Sequence, residues 1–396
     1  MEIRSDLSFF IKTFDGEGDR LVIWLPSERG VSPNSAVVAG DLSFYGVDVW
    51  QLDLHDSYML PRTRESISQI PYQDVSALID RAISIGYSKV FFISQGRGAR
   101  LTLEAIHHFS VNNPDSNVIR GSILFHPQLV EVSPNIGETA EYSPIASASH
   151  LPVYLVMAEY STKYLRSMEI GQLLQQGGSS VFVHLLNNVN AGFFSHEPEG
   201  VSEADVLAKT ELPELLNTAM GLLDGIESAK YSARPVQRDK ISDRISAPLQ
   251  KLGIYSGDLK PVNFKLLDLN GGEVDFADYH GKVTLVNFWA TWCTPCVKEI
   301  PSLMQLKQLV SSKDFEILTI NIGESKEKIE RFANENPFNL PVLIDLDGKT
   351  IKDWRVYVYP SNYILDKTGR IKYAHRGALD WSDPDIVKII NKLVSQ

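Results

Sequence analysis

Residues 287–296 read Asn287-Phe288-Trp289-Ala290-Thr291-Trp292-Cys293-Thr294-Pro295-Cys296. Before the two cysteines lies an apolar run of strand length, Val283–Trp289. After them Pro295–Ser311 carries helical periodicity. A buried strand therefore runs into a C-x-x-C pair that opens a helix. At a helix N-terminus the unpaired N–H groups and the helix dipole stabilise a thiolate. That makes Cys293 the attacking sulfur. Pro295 suits the first turn, where a missing N–H costs nothing. Cys296 lies one turn further in, placed to resolve a mixed disulfide. Trp289 and Trp292 read as packing and rim residues rather than chemistry.

Cys293 and Cys296 are the only two cysteines among 396 residues. A bond between them closes a tiny loop and staples nothing, which excludes a disulfide scaffold and a four-cysteine zinc site. Hydrophobic residues make up 43% and charged residues 22%, as in an ordinary globular chain. The net charge of -11 gains nothing from phosphate counterion release, so nucleic acid is excluded as a first partner. No apolar stretch approaches the roughly 20 residues that span a bilayer. Met1–Lys12 lacks a basic segment followed by an apolar one. The expectation is either a cytoplasmic protein or one whose leader lies outside this sequence.

Working outward, apolar runs alternate with helix-length stretches from residue 21 to about 228. Strands are expected at Leu21–Leu25, Val47–Leu54, Lys89–Ser94, Ser122–His126, Val153–Glu159 and Val181–Leu186. Helices are expected at Asn34–Phe44, Gln73–Ile85, Arg97–Ser110, Thr162–Gln176 and Glu211–Ile226. This alternation signals a doubly wound, mostly parallel sheet, and the near-continuous apolar strands fit burial on both faces. Residues 231–258 read as a linker of mixed charge with prolines; an extra helix over Ile241–Leu252 is the alternative. From 259 a second α/β unit begins. Its expected strands are Val283–Trp289, Glu316–Asn321, Val342–Ile344, Tyr363–Asp366 and Ile371–His375. Its expected helices are Pro295–Ser311, Lys326–Asn336 and Asp385–Val394. The fold class is α/β with two domains, 1–230 and 259–396.

Residues 259–396 resemble a thioredoxin-fold domain of the TlpA/ResA-like thiol–disulfide oxidoreductases. The resemblance rests on Leu285–Pro301 (LVNFWATWCTPCVKEIP), Asn321–Lys326 (NIGESK) and Tyr359–Arg370 (YPSNYILDKTGR). It implies that Pro360 is a cis-proline facing the disulfide, with the Tyr359 backbone exposed as a docking edge. The other reading of Pro360 is an ordinary trans turn proline before a strand. The resemblance also implies that Glu299 tunes the cysteine pair and shuttles the proton of the buried thiol. On spacing alone, a solvated helix glutamate is the other reading. Asn287 stands where ordinary thioredoxins carry a buried aspartate, and Pro301 should kink the helix. Residues 323–326 would begin the extra helical segment of this subgroup, with no chemistry assigned to them.

By the same resemblance the chain would reduce protein disulfides outside the cytoplasm, in the bacterial periplasm or envelope, in settings such as cytochrome c maturation or copper delivery. Its partners would be protein disulfide or dithiol substrates, a thiol-donating redox partner and a membrane-associated partner. No cofactor is expected beyond the Cys293–Cys296 disulfide. The absence of C-x-x-C-H argues against a c-type haem on this chain.

Residues 1–230 resemble the α/β-hydrolase fold. Val90–Ala99 gives a strand, a tight turn and a helix, as a nucleophile elbow requires. The pattern G-x-S-x-G aligns best on Ser94-Gln95-Gly96-Arg97-Gly98, which puts Gly96 at the nucleophile, where no acyl-enzyme can form. Shifting the frame to Ser94 sets the bulky Phe92 where a small residue is needed. Glu159 would serve as the acid only by a local shift, and His196 is the histidine near the expected place. Without a nucleophile the triad argument fails, because its members act as a unit. The expectation is a binding module of hydrolase shape. The alternatives are an esterase-like hydrolase with a regulatory redox domain, and a binding protein switched by the redox pair.

Overall fold

A computed structural model describes residues 1–4, 7–63, 65–131, 134–195, 202–226, 236 and 252–396. These fall into two compact units, one within 1–131 and 142–241, the other within 132–141 and 242–396. Among the described residues no helix is long and apolar enough to cross a membrane.

The first unit is built on a seven-stranded sheet: β1 (Phe10–Phe14), β2 (Arg20–Leu25), β3 (Val47–Asp53), β4 (Lys89–Gln95), β5 (Ile119–Phe125), β6 (Val153–Tyr160) and β7 (Val181–Asn190). Across the sheet the order is β1-β3-β2-β4-β5-β6-β7. Only β1 runs antiparallel to its neighbour. Because strand side chains alternate between faces, β2 sends Leu21, Ile23 and Leu25 to one core and Val22 and Trp24 to the other. The first core is closed by α2 (Tyr72–Ser84) and α3 (Gly98–Asn112). The second is closed by α1 (Pro33–Ser43) and, later in the chain, the long Glu203–Asp224 helix. Burying one such side chain contributes about 1.5–3 kcal/mol.

Helix limits follow local chemistry. Ser32 caps α1 in a reciprocal box with Ser35, and Pro33 occupies the first turn. Between α3 and the long helix lies α4 (Ser167–Gln176). The long helix, α5 (Glu203–Asp224), starts two turns before the position expected from apolar spacing. A Ser202–Asp205 capping box fixes its start, and Pro213 is carried in its interior.

The second unit has an eight-stranded sheet: β8 (Gly253–Ile254), β9 (Lys265–Asp268), β10 (Glu273–Asp275), β11 (Val283–Trp289), β12 (Phe315–Ile322), β13 (Val342–Asp345), β14 (Ser361–Leu365) and β15 (Ile371–Arg376). Their order is β8-β15-β14-β11-β12-β13-β9-β10. The central β11 pairs parallel with β12 and antiparallel with β14. This is the thioredoxin arrangement. Strand β8 falls inside the stretch read from sequence as linker and pairs with β15. Helix α6 (Thr294–Leu309) follows β11, α7 (Lys326–Glu335) follows β12, and α8 (Pro384–Val394) ends the chain. Val283 and Leu285 of β11 pack on Leu303 and Leu306 of α6 and on Ile386 and Ile390 of α8. On the opposite face Phe288 meets Trp354, which is ringed by Phe264, Phe276 and Tyr363.

Gly98 opens α3 against the Pro26 backbone, and a Cβ there would overlap the Pro26 carbonyl oxygen. Backbone cannot yield as a flexible side chain can. Gly98→Ala is expected to lower the stability of the first unit by about 1–3 kcal/mol. Denaturant unfolding checks this, and an unchanged midpoint would show that the turn has slack.

Candidate active site

Strand β11 is buried over its whole length and delivers the chain to Thr291, Trp292 and Cys293. Cys293 is the N-cap residue of α6, with Thr294 and Pro295 exposed in the first turn and no side chain capping the helix. Cys293 and Cys296 are disulfide-bonded, with Sγ–Sγ 2.00 Å and Cα–Cα 5.2 Å. Cys293 is 6% exposed and Cys296 1%, so the outer sulfur is the one a partner would meet first. Trp292 is half-buried and its ring packs edge-on against Tyr359 at 5.9 Å. The Tyr359–Pro360 peptide bond is cis. Trp289, by contrast, is an interior residue against Phe332 and Phe338.

Glu299 lies three residues beyond Cys296 on the same helix face. It is 2% exposed, so the solvated alternative does not describe it. Asn287 of β11 donates from Nδ2 to Glu299 Oε1 at 2.7 Å. The Trp381 indole N–H and the Leu379 backbone N–H donate to Oε2 at 3.2 and 3.3 Å. Asn287 Nδ2 also donates to Asn362 Oδ1 at 2.7 Å, its cross-strand partner on β14. Burial raises the Glu299 pKa to about 7, and the N–H donors from Trp381, Leu379, Asn287 and Asn362 only partly oppose it. A carboxyl that titrates near neutrality on the helix bearing the dithiol, one turn past Cys296, can accept a thiol proton.

The comparisons with known proteins agree with this geometry. Residues 258–374 match the AhpC/TSA family. The chain is 34% identical over 134 residues to the thiol-disulfide oxidoreductase ResA of Geobacillus kaustophilus, covering 34% of this chain and 76% of that protein. The chain belongs to the ResA-like thiol–disulfide oxidoreductases. A second relative, the thioredoxin-like protein YneN of Bacillus subtilis, is 35% identical over 133 residues, covering 33% of this chain and 76% of that protein. Among solved structures, StoA from Bacillus subtilis is 22% identical, covering 33% of this chain and 99% of that one, with a TM-score of 0.30. The AhpC/TSA match lies within the second unit of this ResA-like protein.

One buried carboxylate of the site is not legible from the C-x-x-C pattern. Glu324, 1% exposed, accepts the Thr291 backbone N–H at 2.7 Å, the Thr291 hydroxyl at 2.5 Å and Asn321 Nδ2 at 2.9 Å. It ties the turn before Trp292 to the end of β12. The sequence signal was a charged residue just after an apolar strand, at a position read as having no chemistry.

In the first unit the elbow holds no nucleophile. Gly96 has φ +57°, and a Cβ there would stand 2.8 Å from Glu28 Oε2. That carboxylate accepts the Arg97 backbone N–H at 3.2 Å. Burial pulls the Glu28 pKa up, but its own and the Arg97 backbone N–H groups, with the charges of Lys163 and Arg97, outweigh this and hold it low. Ser94 is fully buried, and its Oγ has no hydrogen-bond partner among the described residues. Glu159 accepts the Asn188 backbone N–H. His196 lies outside the described residues. Among the described residues Ser94 Oγ is hydrogen-bonded to no histidine.

Two expectations follow. Glu299 has an ordinary pKa of 4.5, raised to about 7 on folding. Between these values the folded state keeps a proton that the unfolded state has lost. Stability therefore falls as pH rises through that window and levels off above it, by about 3 kcal/mol in all. Glu299→Gln should lack this slope; identical pH–stability curves for the two proteins would refute the assignment. Glu324→Ala should cost about 2–3 kcal/mol by leaving the Thr291 and Asn321 donors unpaired, measured by denaturant unfolding of the oxidised protein. No loss would show that water satisfies them.

Proposed function

We propose that this chain reduces disulfides in client proteins, with Cys293 as nucleophile and Cys296 as resolving thiol. The observation that carries this reading is the position of Cys293 at the uncapped N-terminus of α6, more exposed than its partner. In the reduced chain the Cys293 thiolate attacks a client disulfide. That bond breaks, a mixed disulfide forms, and one client sulfur leaves as a thiolate. Glu299 takes the proton of Cys296. The Cys296 thiolate then attacks Cys293 Sγ and releases the second client sulfur. The client gains two electrons and the chain ends as the Cys293–Cys296 disulfide. A thiol-donating partner returns the electrons, and the two sulfurs are the only redox group the cycle needs.

Trp292, Thr294 and Pro295 form the rim over which the client approaches, and Tyr359 with Pro360 offers the neighbouring backbone as a docking edge. The first unit, a hydrolase-shaped fold with glycine at the elbow, recruits the client or partner. The parallel sheet, the positive φ at Gly96 and the close approach at Gly98 support that shape. The ResA-like family favours action in the bacterial envelope. No structural observation favours the esterase-like reading, since the elbow site is filled by the Glu28 carboxylate.

The reduction potential tests the direction. Trp292 fluorescence read in thiol buffers should give about -250 mV or lower, the thioredoxin range. A value near about -120 mV would make the chain an oxidant and overturn the reductase reading. Cys296→Ser should accumulate a mixed disulfide through Cys293, seen as a client adduct by mass spectrometry.

A further inference from the structure

Segment 134–141 belongs in space to the second unit, although its contacts there are made to residues 217, 218 and 242 positions further along the chain. Its shape is a closed turn. The Glu138 N–H donates to the Asn135 carbonyl at 3.0 Å. The Glu138 carboxylate accepts the Asn135 N–H at 3.0 Å and its side-chain amide at 2.9 Å. Gly137 takes φ +79° and lies so close to the Tyr255 ring that a Cβ would overlap its hydroxyl.

The turn is held through its backbone. Arg376 Nη1 donates to the Pro134 carbonyl at 2.7 Å, and Arg355 Nη1 donates to the Gly137 carbonyl at 3.0 Å. The Ala140 N–H donates to Tyr357 Oη at 3.0 Å. Arg355 is itself pinned by Asp258 at 2.7 Å. These anchors adjoin the redox site. Tyr357 is two residues before Tyr359, whose ring packs on Trp292 beside Cys293. Arg376 lies opposite Ser361 on β14, and the next residue, Gly377, donates its N–H to the Pro360 carbonyl at 2.8 Å.

We propose that Tyr255, Arg355, Tyr357 and Arg376 form a recognition site for a glycine-containing peptide turn, that residues Pro134–Glu141 occupy it, and that a client polypeptide must displace this turn to reach Cys293. The site reads main-chain carbonyl and amide groups, which every polypeptide carries, and it admits no side chain at the residue over Tyr255. It therefore suits clients of varied sequence while favouring a glycine at one place. This proposal rests on the protein-disulfide reading above.

The experiment compares a polypeptide disulfide with a small one. Gly137→Val expels the turn by overlap with Tyr255 and leaves the four site residues intact. It is expected to speed reduction of insulin disulfides by about fivefold, the scale of one net hydrogen bond between the turn and its site. Reduction of glutathione disulfide should not change. An added acetylated peptide of residues 134–141 should return the insulin rate toward that of the parent chain. An unchanged insulin rate, or equal acceleration of both substrates, overturns the proposal. If neither disulfide is reduced, the redox reading itself fails and the proposal falls with it. A second measurement holds even where Gly137→Val does not fold. In the full chain carrying Cys296→Ser, trapping insulin on Cys293 should raise amide exchange at Gly137–Ala140. Unchanged protection there overturns the proposal.

Discussion

A single buried carboxyl ties the second unit together. Glu299 on α6 is gripped from β11 through Asn287 and from the loop before α8 through Leu379 and Trp381, and Asn287 passes the network on to Asn362 of β14. Three segments far apart in sequence must therefore be in register before that carboxyl finds its donors. An ionisable group costs free energy in the interior unless such partners are in place, so the network specifies the arrangement as much as it stabilises it. The same burial brings its titration to the pH at which thiols exchange. The group that fixes the position of α6 under the disulfide is thus also the group equipped to handle a proton.

Much of this was legible in the sequence. Runs such as Val283–Trp289 have the length and composition of strands buried on both faces, and the C-x-x-C pair placed a helix start within one residue. Strands β9 and β10 were not legible. Their residues, Lys265–Asp268 and Glu273–Asp275, are short, charged and half-exposed, and only pairing to the sheet edge makes them strands. The early start of α5 was hidden because its first turns carry Glu203 and Asp205, and a capping box rather than an apolar stripe sets the boundary. Glu299 was legible as a residue on the right helix face, but its burial was not. Trp381 and Leu379 close over it from about 80 positions away, a distance at which no local pattern carries information. Glu324 was not legible because its partner Thr291 lies 33 positions away, in the turn before the cysteines.

The two units use parallel strands differently. In the first, β2 and β4 are covered by helices on both faces, and the turn after β4 holds a glycine and a borrowed carboxylate. In the second, the turn after β11 is pinned from below by Glu324 and carries the two cysteines. Both place their sharpest turn where a central strand meets a helix N-terminus, the point at which backbone N–H groups gather. One turn has answered that gathering of donors with the Glu28 carboxylate. The other presents it to a sulfur.

The turn at Gly96 ties two positions together. A side chain placed at this position would meet the left-handed backbone and crowd Glu28 where it accepts the Arg97 N–H. Removing Glu28 first would strand that N–H without giving anything in return. The two positions are thus coupled: each alters what the other meets. Positions 28 and 96 should therefore be read as one unit, because two residues that share a contact do not vary independently.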